Sequence, residues 1–80
     1  MPVLRLFAQA REAAGASRDV VDGATVDQVL AAATARYGEE FGRLLPTCRV
    51  WVNGEPAYGD AVVGDADEVA VLPPVSGGSS

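Results

Sequence analysis

Residues 25–38 are the one stretch of this 80-residue chain where apolar side chains recur at helical spacing over several turns, and that limits what the rest can build. Val26, Val29, Leu30, Ala33 and Tyr37 fall at i, i+3, i+4, i+7 and i+11, on one stripe of an α-helix. Thr25-Val26-Asp27-Gln28 marks the start as a capping box, in which the threonine hydroxyl accepts from the third helical N–H and the glutamine reaches back to the cap's own N–H. Gly38 stands where a left-handed terminus belongs. One helix with one apolar stripe covers one face of one sheet, which leaves too few helices for a doubly wound architecture.

The sheet is read from alternation. Val3-Leu4-Arg5-Leu6-Phe7-Ala8 is a first strand with Leu4, Leu6 and Ala8 facing the core, because Arg5 must face water. Residues 9–16 break the pattern around Gly15 and form a connection, with room for a helical turn at Arg11-Glu12-Ala13-Ala14. Residues 18–21 make a second short strand closed by Asp22-Gly23. Beyond the helix, residues 39–45 are expected to add a helical turn carrying Phe41, Leu44 and Leu45 until Pro46 ends it. Arg49-Val50-Trp51-Val52 is a strand followed by Asn53-Gly54, the strongest two-residue hairpin signal, since both central positions of a type I′ turn need positive φ. A short return segment through Tyr58 and Val62 leads to the acidic turn Asp65-Ala66-Asp67 and the last strand, Glu68-Val69-Ala70-Val71-Leu72. The order predicts an α+β chain: a mixed sheet of four to five strands with one main helix packed on Leu4, Leu6, Val50, Val52, Val69 and Val71. That arrangement is a β-grasp.

A domain this small has little core to spare, and no staple is visible to help it. Cys48 is the only cysteine and there is no histidine, so an internal disulfide and a zinc site are both excluded, and the 49% apolar content must hold the fold. Cys48 lies on the core face of its strand and reads as packing, because no histidine exists to activate it as a nucleophile. The net charge of -5 opposes binding to nucleic acid and favours a partner with a basic docking surface. All six basic residues are arginine, so lysine-linked polymers of the chain cannot form. No basic stretch followed by a long apolar run opens the sequence, and no apolar run reaches the ~18 residues of a membrane span. The expectation is a cytoplasmic protein without a membrane anchor.

Two features remain once the core is assigned. Alternation leaves Phe7, Trp51 and Leu72 on the uncovered sheet face, either as singly exposed apolar residues or as a docking patch. The second feature is the stretch Pro73-Pro74-Val75-Ser76-Gly77-Gly78-Ser79-Ser80, a tail (73–80) beyond a globular domain (1–72). Its prolines stiffen the exit from the last strand, and Gly77 and Gly78 fit passages too narrow for side chains. Extended, residues 73–78 span roughly 20 Å, enough to reach a buried site in another protein. A Gly-Ser end is also the composition of an ordinary frayed terminus or linker.

Phe7-Ala8-Gln9 with Arg11-Glu12 and Gly15, Thr25-Val26 with Leu30, Val52-Asn53-Gly54, and Asp67-Glu68-Val69-Ala70 running into Pro73-Pro74-Val75-Ser76-Gly77-Gly78 resemble the ubiquitin-like sulfur carriers of the MoaD/ThiS type, most of all the small subunit of molybdopterin synthase. The resemblance spans nearly the whole chain. It implies that an adenylating E1-like enzyme consumes ATP to activate the carboxylate of Gly78, and that a sulfur donor such as a cysteine desulfurase or rhodanese converts the adenylate to a thiocarboxylate. The loaded tail, Pro73 to Gly78, would then thread into the large subunit of molybdopterin synthase or another sulfur-accepting enzyme. No bound cofactor, metal, nucleic acid or membrane is implied, and the chain is no enzyme on its own. Ser79 and Ser80 depart from the pattern, because the chemistry needs Gly78 to be terminal: either they are an appended remnant or a processing protease removes them. The neighbouring branches, carriers for cysteine, thiazole or another sulfur metabolite and covalent protein modifiers, share this tail.

Overall fold

The computed structural model describes residues 1–74, and residues 75–80 lie outside the described residues. The chain runs β1 (Val3–Leu6), α1 (Ala8–Ala14), β2 (Arg18–Val20), α2 (Val26–Tyr37), α3 (Glu39–Leu44), a 3-10 turn (Leu45–Thr47), β3 (Arg49–Val52), β4 (Glu55–Pro56) and β5 (Glu68–Leu72). Five strands form one mixed sheet in the order β2-β1-β5-β3-β4. β5 is central, parallel to β1 with Leu4 opposite Val69 and Leu6 opposite Val71, and antiparallel to β3 with Val50 opposite Val71. These partners point to one face, and the fold is the expected β-grasp.

That face is closed by α2 and the two short helices. Leu4, Leu6, Val69 and Val71 from the sheet are buried with Val26, Val29 and Ala33 of α2, Ala10 of α1 and Phe41 of α3, while Val50 and Val52 pack half-buried at its border. Each fully buried side chain of this size contributes about 1.5–3 kcal/mol against the entropy of ordering it. The Tyr37 and Phe41 rings meet edge to face at 5.2 Å, tying α2 to α3.

The cap at Thr25 is present, its side chain accepting from the Gln28 N–H at 3.2 Å. The return bond differs from expectation by one residue: the Gln28 side chain accepts from the N–H of Ala24 at 2.8 Å, so the box closes ahead of the cap. Gly38 has φ 107° and ψ -178°, a positive-φ corner open essentially to glycine alone in place of the left-handed helical terminus, and it serves as the cap of both α2 and α3. The expected turn at 39–45 is thus a helix of its own, and Pro46 sits inside the 3-10 turn, where a missing N–H is tolerated. Asn53 and Gly54 carry φ of 51° and 84°, the type I′ turn expected of them.

The first strand is shorter than expected. It ends at Leu6, and Ala8, expected in the core, is exposed and opens α1 with φ 52°. Ala10 takes the buried place instead. The connection at 9–16 is therefore mostly helix, closed by Gly15 in the left-handed region with its N–H on the Arg11 carbonyl at 2.9 Å.

Candidate functional site

Side chains alternate along strands, so the partners of the core residues define the opposite, uncovered face. Arg5 and Trp51 both stand opposite Ala70, and Arg49 stands opposite Leu72. One step beyond the Leu6–Val71 pair, Phe7 comes level with Leu72. The small Ala70 leaves a depression of about 240 Å³ lined by Phe7, Trp51, Gly54, Glu68, Ala70 and Leu72. Phe7 is 38% exposed, while Trp51 and Leu72 are half-buried.

The structure thus brings Phe7, Trp51 and Leu72 to one concavity. Sequence reasoning did not name its floor, Ala70, nor its polar rim of Glu68 and Gly54. The same alternation places Ala70 and Glu68 there, since both lie two or four residues from Leu72 on one strand. Arg5 sits over the Phe7 ring at 5.7 Å from its centroid and pairs with Glu68 at 3.3 Å, which fixes the β1 side of the rim.

Leu72 ends the central strand, and Pro73 and Pro74 follow it directly, so the chain leaves the most firmly paired strand at the lip of the depression. Pro73 is half-buried and Pro74 exposed. Val75, Ser76, Gly77, Gly78, Ser79 and Ser80 lie outside the described residues.

At the other end of β5 the acidic turn is held in place. The Asn53 amide donates to the Asp67 carboxylate at 2.9 Å and accepts from the Glu68 N–H at 2.9 Å, while the Gly64 N–H donates to Asp67 at 2.8 Å. The Asn53 amide, and then the Gly64 N–H, hold the Asp67 carboxyl below the usual carboxylate range. Asp67 is thus a structural clamp on the hairpin, whereas the sequence alone reads it only as part of an acidic turn.

Cys48 is half-buried and donates to the Leu44 carbonyl at 3.3 Å, and burial pushes its thiol pKa up. This suits packing and not a reactive thiolate. A larger cleft of about 360 Å³ lies between α2 and β3, lined by Val26, Leu30, Cys48, Val50, Trp51 and Tyr58 among others, and includes neither Phe7 nor Leu72. Among the described residues no cluster of three or more metal-ligating side chains occurs, and no helix is long and apolar enough to cross a membrane.

A β-grasp whose central strand ends beside an apolar depression is the architecture of ubiquitin-like carrier domains. The chain belongs to the ThiS family, which it matches over residues 4–78. It is similar to SAMP1 from Haloferax volcanii, with 35% identity over 95% of this chain and 97% of that one, at a TM-score of 0.80. A chain of the BexX/CysO complex from Amycolatopsis orientalis is 25% identical over 98% of this chain and 100% of its own, with a TM-score of 0.82. A protein from Pyrococcus furiosus described as molybdopterin converting factor, subunit 1, is 26% identical over 91% and 95% of the two chains, with a TM-score of 0.76. These neighbours span several pathways within one class, the ubiquitin-like sulfur carriers and modifiers.

Proposed function

We propose that this protein carries sulfur as a thiocarboxylate on Gly78 and delivers it to a partner enzyme, with the pterin precursor of molybdopterin as the final acceptor. What supports the reading most is that the family match runs through Gly78, the residue on which the chemistry depends. An activating enzyme joins the Gly78 carboxylate to the AMP moiety of ATP and releases pyrophosphate. A sulfide equivalent from a desulfurase- or rhodanese-type donor then attacks the acyl carbon, and AMP leaves. Glycine leaves that carbon unhindered. In the acceptor's active site the thiocarboxylate sulfur displaces an oxygen leaving group from a substrate carbon, and hydrolysis of the resulting thioester returns the carboxylate and leaves the sulfur on the substrate as a thiolate. The chain contributes reach, docking and orientation, while the catalytic side chains belong to its partners. Such a cycle suits the cytoplasm, where ATP is available.

The similarity to SAMP1, a small archaeal modifier protein, favours a second reading in which the activated Gly78 is transferred to amines of other proteins. Both readings require a free carboxylate at Gly78, so Ser79 and Ser80 must be absent or removed. The test incubates chains ending at Gly78 and at Ser80 with the cognate activating enzyme, ATP and sulfide, and follows intact mass. The Gly78 form is expected to exchange one oxygen for sulfur, and the Ser80 form is not. Equal loading of both without clipping would refute the assignment of Gly78, and covalent adducts with other proteins in place of sulfur loading would favour the modifier reading.

A further inference from the structure

The charge on the docking face runs opposite to that of the whole chain. Arg5 and Arg18 are direct partners across β1 and β2, so both project to the uncovered face, as does Arg49 opposite Leu72. The only acid on that face of the ladder is Glu68, opposite Val3, and it already pairs with Arg5. Among the described residues, Arg18 and Arg49 are exposed and have no acidic partner within ion-pair distance. A chain of net charge -5 therefore presents an arginine-bearing, apolar face around the root of its tail, and its acidic excess lies elsewhere.

From this juxtaposition we propose that the sheet face around Phe7, Trp51 and Leu72 docks a protein surface whose apolar contact is flanked by carboxylates, and that Arg18 and Arg49 are the residues that read those carboxylates. The proposal rests on the docking role given to this face above and adds the charge of its partner. Arginine suits the task because its planar fork pairs with carboxylates in two parallel bonds while its stem covers apolar surface. Two uncompensated cations beside an apolar depression repel a basic partner, so the whole-chain charge is a misleading guide to what docks here. Nucleic acid does not fit, because the strongly acidic remainder of the chain opposes a phosphate backbone.

The probe is the cognate activating enzyme, titrated by calorimetry and stopped flow with the chain ending at Gly78. Arg18→Glu and Arg49→Glu are each expected to slow association by about threefold or more and to flatten its salt dependence, as rim charges do. Arg18→Gln and Arg49→Gln, which keep a long polar stem, should give smaller effects of the same sign. Arg43→Glu, on α3 at the far side of the fold, makes the same change in net charge and is expected to leave association near that of the wild type. If both reversals tighten binding, the partner surface is basic and the proposal fails. The same holds if they leave binding unchanged while Leu72→Asp abolishes it, although the docking role of the face then stands. Full binding by folded Leu72→Asp would remove that role as well. Binding of the wild type to anionic vesicles at the same concentrations, lost in Arg18→Glu and Arg49→Glu, would assign the face to lipid and overturn the proposal.

Discussion

At the level of single residues, the sequence is most informative where one conformation demands one side chain. Asn53 and Gly54 are legible because few residues accept positive φ, and the structure places them at 51° and 84°. What the pattern does not reveal is that Asn53 also grips Asp67 and Glu68 across the sheet. Asn53→Gly keeps the turn and loses only the grip, so it should cost less than Asn53→Ala, for which we expect about 1–2 kcal/mol from strained backbone and lost bonds together. Urea melts of the pair separate the two contributions, and equal losses would deny the turn its share. Ala8 is illegible for the converse reason: alanine gives no sign of a φ of 52°, and alternation carries the strand one residue too far, into the start of α1. Ala8→Gly should stabilise the fold by about 1 kcal/mol, and a lower melting temperature would show that the alanine is not strained.

At the level of elements, α2 is plain in the sequence because its stripe is long, whereas seven-residue α1 and six-residue α3 are too short for periodicity to distinguish from loop. The protection of the outer edge of β2 is equally hidden. Leu6 and Val21 bond across to Ser17 and Pro2, so Arg18 and Val20 turn their backbone groups outward. The Val20 N–H is met by its neighbour Asp19 at 2.8 Å, and its carbonyl accepts from Arg36 at 3.1 Å, while Arg36 pairs with Asp19 at 2.8 Å. The Tyr37 hydroxyl donates to the same carboxylate. These bonds, the tyrosine's first, lower the Asp19 pKa to about 2, and burial followed by the Asp19 bond raises Tyr37 to about 12. The Asp19 contribution is full above its ordinary 3.8 and fades as pH falls through about 2; that of Tyr37 is full below 10.0 and fades as pH rises through about 12. In Asp19→Asn both losses of stability should shrink, and acid and alkaline unfolding curves identical to wild type would contradict the cross-tie. Arg36→Ala should leave a folded chain with an open edge that self-associates at high concentration, detected by light scattering; a strictly monomeric variant would show that Arg36 does not guard β2.

At the scale of the whole molecule, the proposed function has the central strand feed the residues after Leu72 into a partner while the sheet face beside it docks. The apolar part of that face was legible because Trp51 and Leu72 alternate with core residues on two strands of one sheet and Phe7 continues the alternation one residue past a third. Its charge was not, because net charge averages over every surface and pairing alone brings Arg5 beside Arg18 and Arg49 beside Leu72. Docking and threading separate by mutation. Gly77→Val lies beyond the last strand and should change stability by no more than about 0.5 kcal/mol. Chemically loaded with a thiocarboxylate, it should still bind its partner yet fail to transfer sulfur in a single turnover, because a β-branched side chain adds bulk and stiffness to the threading segment. Wild-type turnover by that variant would exclude threading. The central claim is tested most directly by fragmentation mass spectrometry of the protein isolated from its native cell. The account predicts a chain ending at Gly78 with one oxygen of that terminal carboxylate replaced by sulfur, and a population that always retains residues beyond Gly78, with no sulfur gained, would contradict it.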